Sequence, residues 1–376
     1  MITMDRQLLG ALVRYLNCQP GALGAAFYEI PQDVGYVAQV GAWYAALRGP
    51  DKLGEDVVAA LAAPALVADV RVFQGRDSLI RTWAVTGASG PLVLAALAED
   101  GRTLRLERLA TRDEYVDTLV AWLIAAGEPA RPELRVELAQ AEFAALLALV
   151  DLRSRATFTS YITHRPVEQA FAQEFVLKAF TEAVTVNDPR WLLSFAKPLL
   201  DDVATQPDAA AVGRALGGLS TRGLIERAGT DWKFTVPGEF LAESLHRRAV
   251  TIGVDTAAAD AAGQLGTHAG LIVRSDEPLW FADIPGGANV TLCGISAQTA
   301  RDVLDMFVTP VGPAPIAKPP APVPPPQPVY VAPAPLYSAP PVQPTAPPPT
   351  LRYCPRCGQQ NASGVPFCGG CGARLG

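Results

Sequence analysis

The chain has 376 residues, 49% of them hydrophobic, with a mean hydropathy of +0.18. That is enough apolar material for a core of more than one domain, and it excludes wholesale disorder. Its net charge of −6 is unevenly spread: residues before 310 carry −10 and the remainder carries +4, from Lys318, Arg352, Arg356 and Arg374. An acidic body argues against a general nucleic-acid binder, which needs Lys and Arg facing phosphate; a basic protein partner suits it better. The N-terminus lacks a basic stretch followed by an apolar run and a small-residue cleavage site. The longest apolar stretches, such as 115–127, are too short to span a bilayer, so a cytoplasmic location is expected.

The prolines divide the chain. Fourteen lie in residues 1–309, eighteen between Pro310 and Pro349, and two in the tail. The expected domains are therefore 1–130, a first α+β unit; 131–309, a helical middle with a winged-helix-like segment and a second α+β unit; 310–350, a proline-rich disordered linker; and 351–376. Proline fixes φ and removes the backbone donor, so residues 310–350 read as an extended spacer, reaching on the order of 100 Å. Their PxxP runs, with Tyr330 and Tyr337, also fit docking to an aromatic groove.

Within the first unit, 91–122 reads PLVLAALAEDGRTLRLERLATRDEYVDTLVAW. In the second, 278–307 reads PLWFADIPGGANVTLCGISAQTARDVLDMF. Pro91-Leu92 matches Pro278-Leu279, Ala95 matches Ala282, Thr103-Leu104 matches Thr291-Leu292, and Asp117, Leu119 and Trp122 match Asp302, Leu304 and Phe307. Each copy places an apolar strand before a Gly-bearing turn, Asp100-Gly101 or Gly286-Gly287, then a second strand. Each closes with a helix opened by Thr111 or Ser296, and Thr111-Arg-Asp-Glu114 has the capping-box pattern. With a further strand near 80–86 and near 269–274, this predicts an internal repeat of two strand-strand-strand-helix units.

Between them the pattern predicts helices over 133–155 and 168–183. Residues 210–245 then read as the second half of a winged helix: a helix ending near Gly223, a hairpin around Gly229-Thr230-Asp231, a strand over 232–236 and another helix. The helix that would enter DNA, 210–219, offers Arg214 and otherwise Ala, Val, Gly and Leu, a poor base-reading surface.

The chemistry-bearing motif is the tail, LRYCPRCGQQNASGVPFCGGCGARLG. Cys354-x2-Cys357, ten residues, then Cys368-x2-Cys371 supplies four thiolates in two pairs, a tetrahedral set suited to Zn²⁺. Gly358 and Gly372 follow the second cysteine of each pair, and Tyr353 and Phe367 precede each pair. A segment this short buries too little surface to fold unaided, so the metal supplies the folding energy. The same donor set also admits iron in a rubredoxin-like site, a redox dithiol pair or a disulfide-linked tail. The stretch is similar to the short bacterial zinc-ribbon family. That resemblance implies Cys354, Cys357, Cys368 and Cys371 as ligands of one structural Zn²⁺, with no open position for catalysis.

No phosphate-binding or nucleophile-elbow motif appears, and His164, His246 and His268 are scattered. Cys18 and Cys293 read as packed small hydrophobes, His164 as a loop or cap residue, and Asp201-Asp202 as a solvated turn. No catalytic or cofactor-binding residues are assigned, and the chain reads as a non-enzyme. The rhythm of LGEDVVAALAAPALVADVRVFQG, 53–75, followed by RTWAVTG, PLVLAAL and GRTLRLERL resembles half of the EspG family of type VII secretion chaperones. That implies two related α/β halves, a fainter second copy lying in 220–308; the spacer and ribbon depart from that family, and no binding residue is carried over. The expectation is a protein-interaction protein, an adaptor or chaperone, with a structural zinc ribbon on a polyproline spacer. The alternative is a transcription-associated factor touching nucleic acid through the winged-helix-like segment and the ribbon.

Overall fold

The computed structural model describes residues 1–47, 53–74, 78–87, 91–109, 111–125, 127–259, 265–287 and 289–310, together with the backbone of 351–353 and 360–362. The chain divides into two units, Met1–Ala317 and Lys318–Gly376. The expected linker, 310–350, lies outside the described residues beyond Pro310.

The body begins with a short strand β1 (Ile2–Asp5) and helices α1 (Arg6–Tyr15), α2 (Val34–Ala46) and α3 (Glu55–Ala62). Four strands follow, β2 (Leu66–Gln74), β3 (Ser78–Thr86), β4 (Leu92–Leu97) and β5 (Thr103–Arg108), and helix α4 (Arg112–Ile124) closes the series. The chain then repeats this order with more helix in the middle: β6 (Arg135–Leu138), α5 (Gln140–Thr163), β7 (Ala170–Phe171), α6 (Gln173–Thr185), α7 (Leu192–Ala196), α8 (Asp202–Thr205), α9 (Ala209–Thr221), β8 (Ile225–Ala228), β9 (Asp231–Phe234) and α10 (Val236–His246). Strands β10 (Val250–Ala259), β11 (Leu265–Arg274), β12 (Leu279–Pro285) and β13 (Val290–Gly294) lead to helix α11 (Ala297–Val308).

All the long strands share one antiparallel sheet, in the order β1-β5-β4-β3-β2-β10-β11-β12-β13-β6. This order is a palindrome about the β2–β10 pair, where Val70 stands opposite Val254. Local bonds repeat across that centre. Ala65 N–H donates to Thr86 O at 2.8 Å, and Ala249 N–H to Arg274 O at 2.8 Å. Leu109 N–H donates to Leu92 O at 3.0 Å, and Ile295 N–H to Leu279 O at 2.9 Å.

Three expectations need correction. Each series has four meander strands rather than the three of the repeat: β2 falls within the stretch 53–75 that carries the family resemblance, β10 is added beside it, and an edge strand (β1 or β6) joins each series from before the first helix. The helix expected from 133 starts instead at Gln140. Arg135-Val-Glu-Leu138 alternates with period two and pairs with β13, and the Glu142 carboxylate accepts from Ala139 N–H at 2.8 Å, starting the helix there. The sequence match between the two copies also slips by two residues. Ala95 stands opposite Leu106 and Ala282 opposite Leu292, so Leu106, not Leu104, takes the position of Leu292. A two-residue slip preserves the buried face, which is why the apolar pattern does not reveal it.

The side chains sort by strand alternation into three layers. Leu66, Ala68, Val70, Val72, Val250, Ile252 and Val254 face α4 and α11, packing against Tyr115, Leu119, Leu304 and Phe307. The opposite face lies under α1–α3 in the first half, through Val85, Val93, Ala95, Leu104 and Leu106. In the second half it lies under α5–α10, through Leu271, Val273, Trp280 and Ala282. Helices α4 and α11 start at the hydroxyls the sequence indicates: Thr111 Oγ1 accepts from Glu114 N–H at 3.2 Å, without the return bond from the Glu114 carboxylate that a capping box has, and Ser296 Oγ accepts from Thr299 N–H at 3.1 Å. Arg301 pairs with Asp117 across them, and Arg112 Nη1 donates to Thr309 Oγ1 at 2.7 Å. The turns between the last two strands of each series hold Gly101 and Gly287 at φ +67° and +69°, left-handed values that suit glycine.

In the helical part, β7, β9 and β8 form a three-stranded sheet beside α6, α7 and α9, the strand and helix order of a winged helix. Its second half follows the expected boundaries closely. Asp151, fully buried on α5, caps α7 from a distance: its two carboxylate oxygens accept from Leu192 N–H at 2.8 Å and Leu193 N–H at 2.9 Å. Burial pushes this carboxyl up, and Arg248, the two N–H donors and Arg155 oppose the push. The Arg155 guanidinium lies 4.4 Å from the Trp191 ring centroid, closing the same corner.

Removing that carboxylate orphans two buried N–H groups and leaves Arg248 without its compensating charge. Asp151→Ala is expected to cost about 3–5 kcal/mol, and Asp151→Asn less because one acceptor survives; denaturant unfolding of the two variants checks the order. Asp100 caps the β4–β5 turn, accepting from Thr103 Oγ1 at 2.6 Å, Thr103 N–H at 2.8 Å and Arg102 N–H at 2.9 Å. These bonds, the Thr103 hydroxyl first, bring its pKa down to about 2. The folded value lies below the unfolded one, so this contribution is present above about pH 4 and lost as the pH falls through about 2. A carboxylate NMR titration should place the Asp100 inflection near pH 2, and Thr103→Val should move it upward.

Candidate functional sites

The four expected metal ligands, Cys354, Cys357, Cys368 and Cys371, lie outside the described residues. What is described of the tail is a hairpin of β14 (Leu351–Tyr353) and β15 (Gln360–Ala362), with Tyr353 opposite Gln360 and Leu351 opposite Ala362. In sequence, the first cysteine pair therefore lies in the connection between two paired strands, and the second pair follows β15. Two soft donors on that connection and two beyond the second strand suit a single tetrahedral ion.

In the body several titratable side chains are engaged structurally. At the sheet centre Asp69 accepts from Arg81 Nε at 3.0 Å and Nη2 at 2.8 Å, and from Arg71 Nη2 at 2.7 Å. Burial pushes Asp69 up, but the bonds from Arg81 and Arg71 outweigh it and hold the carboxyl below its usual range. Asp255 stands directly opposite Asp69 in the β2–β10 ladder. Burial, then the Asp69 charge, raises its pKa against the pull of Arg71. These groups lie on the sheet face away from α4 and α11, and Arg81 is half exposed there.

His268, Asp283 and Cys293 share the face toward α11. His268 Nε2 lies 2.6 Å from Asp283 Oδ1, and its ring centroid is 5.0 Å from that of Phe307. The strand order places Asp283 between His268 on β11 and Cys293 on β13. The carboxylate thus separates base from thiol, the reverse of the order a nucleophilic dyad needs. Burial raises the thiol pKa of both Cys293 and Cys18, as expected of packed thiols rather than nucleophiles. His164 ends α5 at φ +54°, the cap role expected for it. His246 Nδ1 lies 2.9 Å from Ser154 Oγ, and Asp201 and Asp202 are exposed at the start of α8. Among the described residues no group of three or more His, Cys, Asp or Glu is placed to hold a metal ion. Likewise, no helix among them is long and apolar enough to cross a membrane.

The winged-helix-like segment offers little to a nucleic acid. On α9 the exposed side chains are Ala209, Ala210, Arg214 and Thr221, while Val212, Ala215, Leu216 and Leu219 are buried. One cation on an otherwise small-residue helix gives almost no base-edge or phosphate chemistry.

Sequence reasoning did not anticipate the exposed apolar surface. The last turns of α5 present Phe158, Tyr161 and Ile162 at 66%, 76% and 64% exposure. Their i, i+3, i+4 spacing puts them on one helix face, but so does the spacing of many core positions, and the sequence has no signal that α5 outruns its packing partners. A groove of about 820 Å³ lies between α10 and the β11–β12 turn, with Val236 and Phe240 exposed along it.

Comparison with known proteins adds one assignment. Residues 353–375 match the family model of the zinc-ribbon domain, which places a metal-binding module in the tail. No curated protein matches the chain. Among solved structures, the body is similar to the type VII secretion system chaperone EspG5 of Mycobacterium tuberculosis, solved in complex with the PE25–PPE41 dimer. The identity is 12%, the coverage 81% of this chain and 94% of that chain, and the TM-score 0.38, a likeness too distant to carry an inference.

If the four cysteines share one ion, the full chain should bind one equivalent of Zn²⁺. Cys354→Ser/Cys357→Ser should abolish binding, as read by metal analysis and by release to a chromophoric chelator, while the unfolding of the body stays unchanged.

Proposed function

We propose that this chain is a non-enzymatic protein-interaction protein, an adaptor or chaperone acting in the cytoplasm, whose body holds a protein client. In this reading the body is an internal duplication of one α/β half, the tail is a structural Zn²⁺ ribbon held by Cys354, Cys357, Cys368 and Cys371, and the proline-rich stretch spaces the two. The observation that carries it is the α5 face: three large apolar side chains, adjacent on one helix, stand in water at more than three-fifths exposure. A contiguous exposed apolar patch of this kind marks a protein-binding surface. The acidic balance of the body favours a basic partner.

The rival, a transcription-associated factor, draws on the winged-helix order of α6, α7, α9 and β7–β9. The side chains on α9 speak against it, and an electrophoretic shift with DNA at low salt that weakens as salt rises is what it requires.

The test is affinity capture from native lysate with the full chain and with a Phe158→Ser/Tyr161→Gln/Ile162→Gln variant. These positions are exposed, so the variant should unfold as the parent does, and it should retain at least about tenfold less of the captured protein. Equal capture by both would remove the α5 face from the reading. Loss only in the Cys354→Ser/Cys357→Ser variant would transfer recognition to the ribbon.

A further inference from the structure

One position at which the two halves of the body differ lies under their closing helices. In the second half Gly270 stands opposite Val254, and Phe307 of α11 lies so close over it that an added Cβ would come within 2.6 Å of the ring. In the first half the corresponding pair is Thr82 opposite Val70, and the helix position corresponding to Phe307 is Trp122. Thr82 has a side chain, and its hydroxyl lies 3.0 Å from the Tyr115 hydroxyl. Where Phe307 and Phe281 close tightly over Gly270 in one half, the other holds a slot of about 260 Å³ between the sheet and α4.

The walls of the slot are apolar: Ile80, Leu94, Leu109 and Trp122, with Ile80 40% exposed and Trp122 partly exposed. Thr82 and Tyr115 belong to the same lining. Its mouth has two carboxylates, Glu107 from β5 and Glu114 from the first turn of α4, both exposed. Among the described residues neither forms an ion pair, although Arg108 and Arg112 beside them bind Asp56 and Thr309.

We infer that this slot receives a lysine or arginine side chain of a protein partner. The aliphatic stem would lie along Ile80, Leu94 and Leu109, and the cationic head between Glu107 and Glu114, near the Trp122 ring. The charge of the mouth selects the ligand: an apolar slot ending in two unpaired carboxylates and an indole complements an apolar stem ending in a cation. The volume of about 260 Å³ falls under the 300–1,000 Å³ typical of sites for whole small molecules and has room for one side chain. The inference rests on the protein-binding reading of the body and adds to it the chemistry of the partner.

The test uses the full-length ¹⁵N-labelled chain, titrated with Nα-acetyl-lysine methylamide, Nα-acetyl-arginine methylamide and Nα-acetyl-norleucine methylamide; norleucine keeps the stem and lacks the charge. The cationic compounds are expected to shift the Trp122 indole N–H and the Thr118 amide and to bind about tenfold more tightly than the norleucine compound. Glu107→Gln/Glu114→Gln, at exposed positions that leave folding intact, should abolish that preference. Equal binding of all three compounds, no shift at Trp122, or a cation preference that survives the double substitution would overturn the inference. Its failure is distinct from failure of the parent reading: a silent slot with capture still dependent on the α5 face removes the slot alone, whereas a responsive slot with capture indifferent to α5 removes the α5 reading alone.

Discussion

The body depends on the pairing of β2 with β10. Nine consecutive register pairs, from Leu66 opposite Ala258 to Gln74 opposite Val250, join two antiparallel half-sheets into one. Without this ladder each half would end in a long strand with a full row of unpaired backbone groups, the condition that sheet proteins avoid. It also fixes the layers. Once Val70 stands opposite Val254, the even-numbered residues of both strands face the same way, and α4 and α11 meet over a common apolar floor. The opposite face then falls to two different helical sets, α1–α3 in one half and α5–α10 in the other.

That division explains where the halves diverge. The palindromic sheet and the paired closing helices follow one plan, so a departure from it at a matched position stands out. The winged-helix-like segment is one departure, an extra block between the first helix and the four-stranded meander of the second half. The charge at the ladder is another. Asp69 and Asp255 face each other across the central strands, and like charges directly opposite are unfavourable. Arg71 and Arg81 bond Asp69 and hold its carboxyl low, whereas burial first, and then the Asp69 charge, raise the pKa of Asp255.

Much of the plan was legible in the sequence. Thr111 and Ser296 open their helices as their hydroxyls predict, Asp100-Gly101 and Gly286-Gly287 make turns, and the Cys spacing of the tail specifies its family. The strands that escaped notice did so for physical reasons. β10, VTIGVDTAAA, carries a glycine where its neighbours pack close, with Phe195 and Leu199 against Gly253, and ends in small residues that give no strand signal. β6 is only Arg135–Leu138 and merges in sequence with the helix that follows. The register of β13 escaped because a slip of two keeps every side chain on its own face. The exposed α5 face escaped because periodicity reports which residues share a face and not whether anything covers it. The paired cysteine spacing that marks the zinc-ribbon domain, conversely, is legible in sequence alone.

The central ladder also has a consequence in time. β2 ends at Gln74 and β10 begins at Val250, so the central junction of the sheet joins segments far apart in the chain. On the ribosome, the whole first half and the helical block emerge before β10 exists. The first half must therefore persist through that interval with β2 as an open edge, at a synthesis rate of roughly 5–20 residues per second. Closing so long a loop is slow compared with forming the local hairpins on either side. Assembly of this body is thus set by how long one strand can wait for its partner.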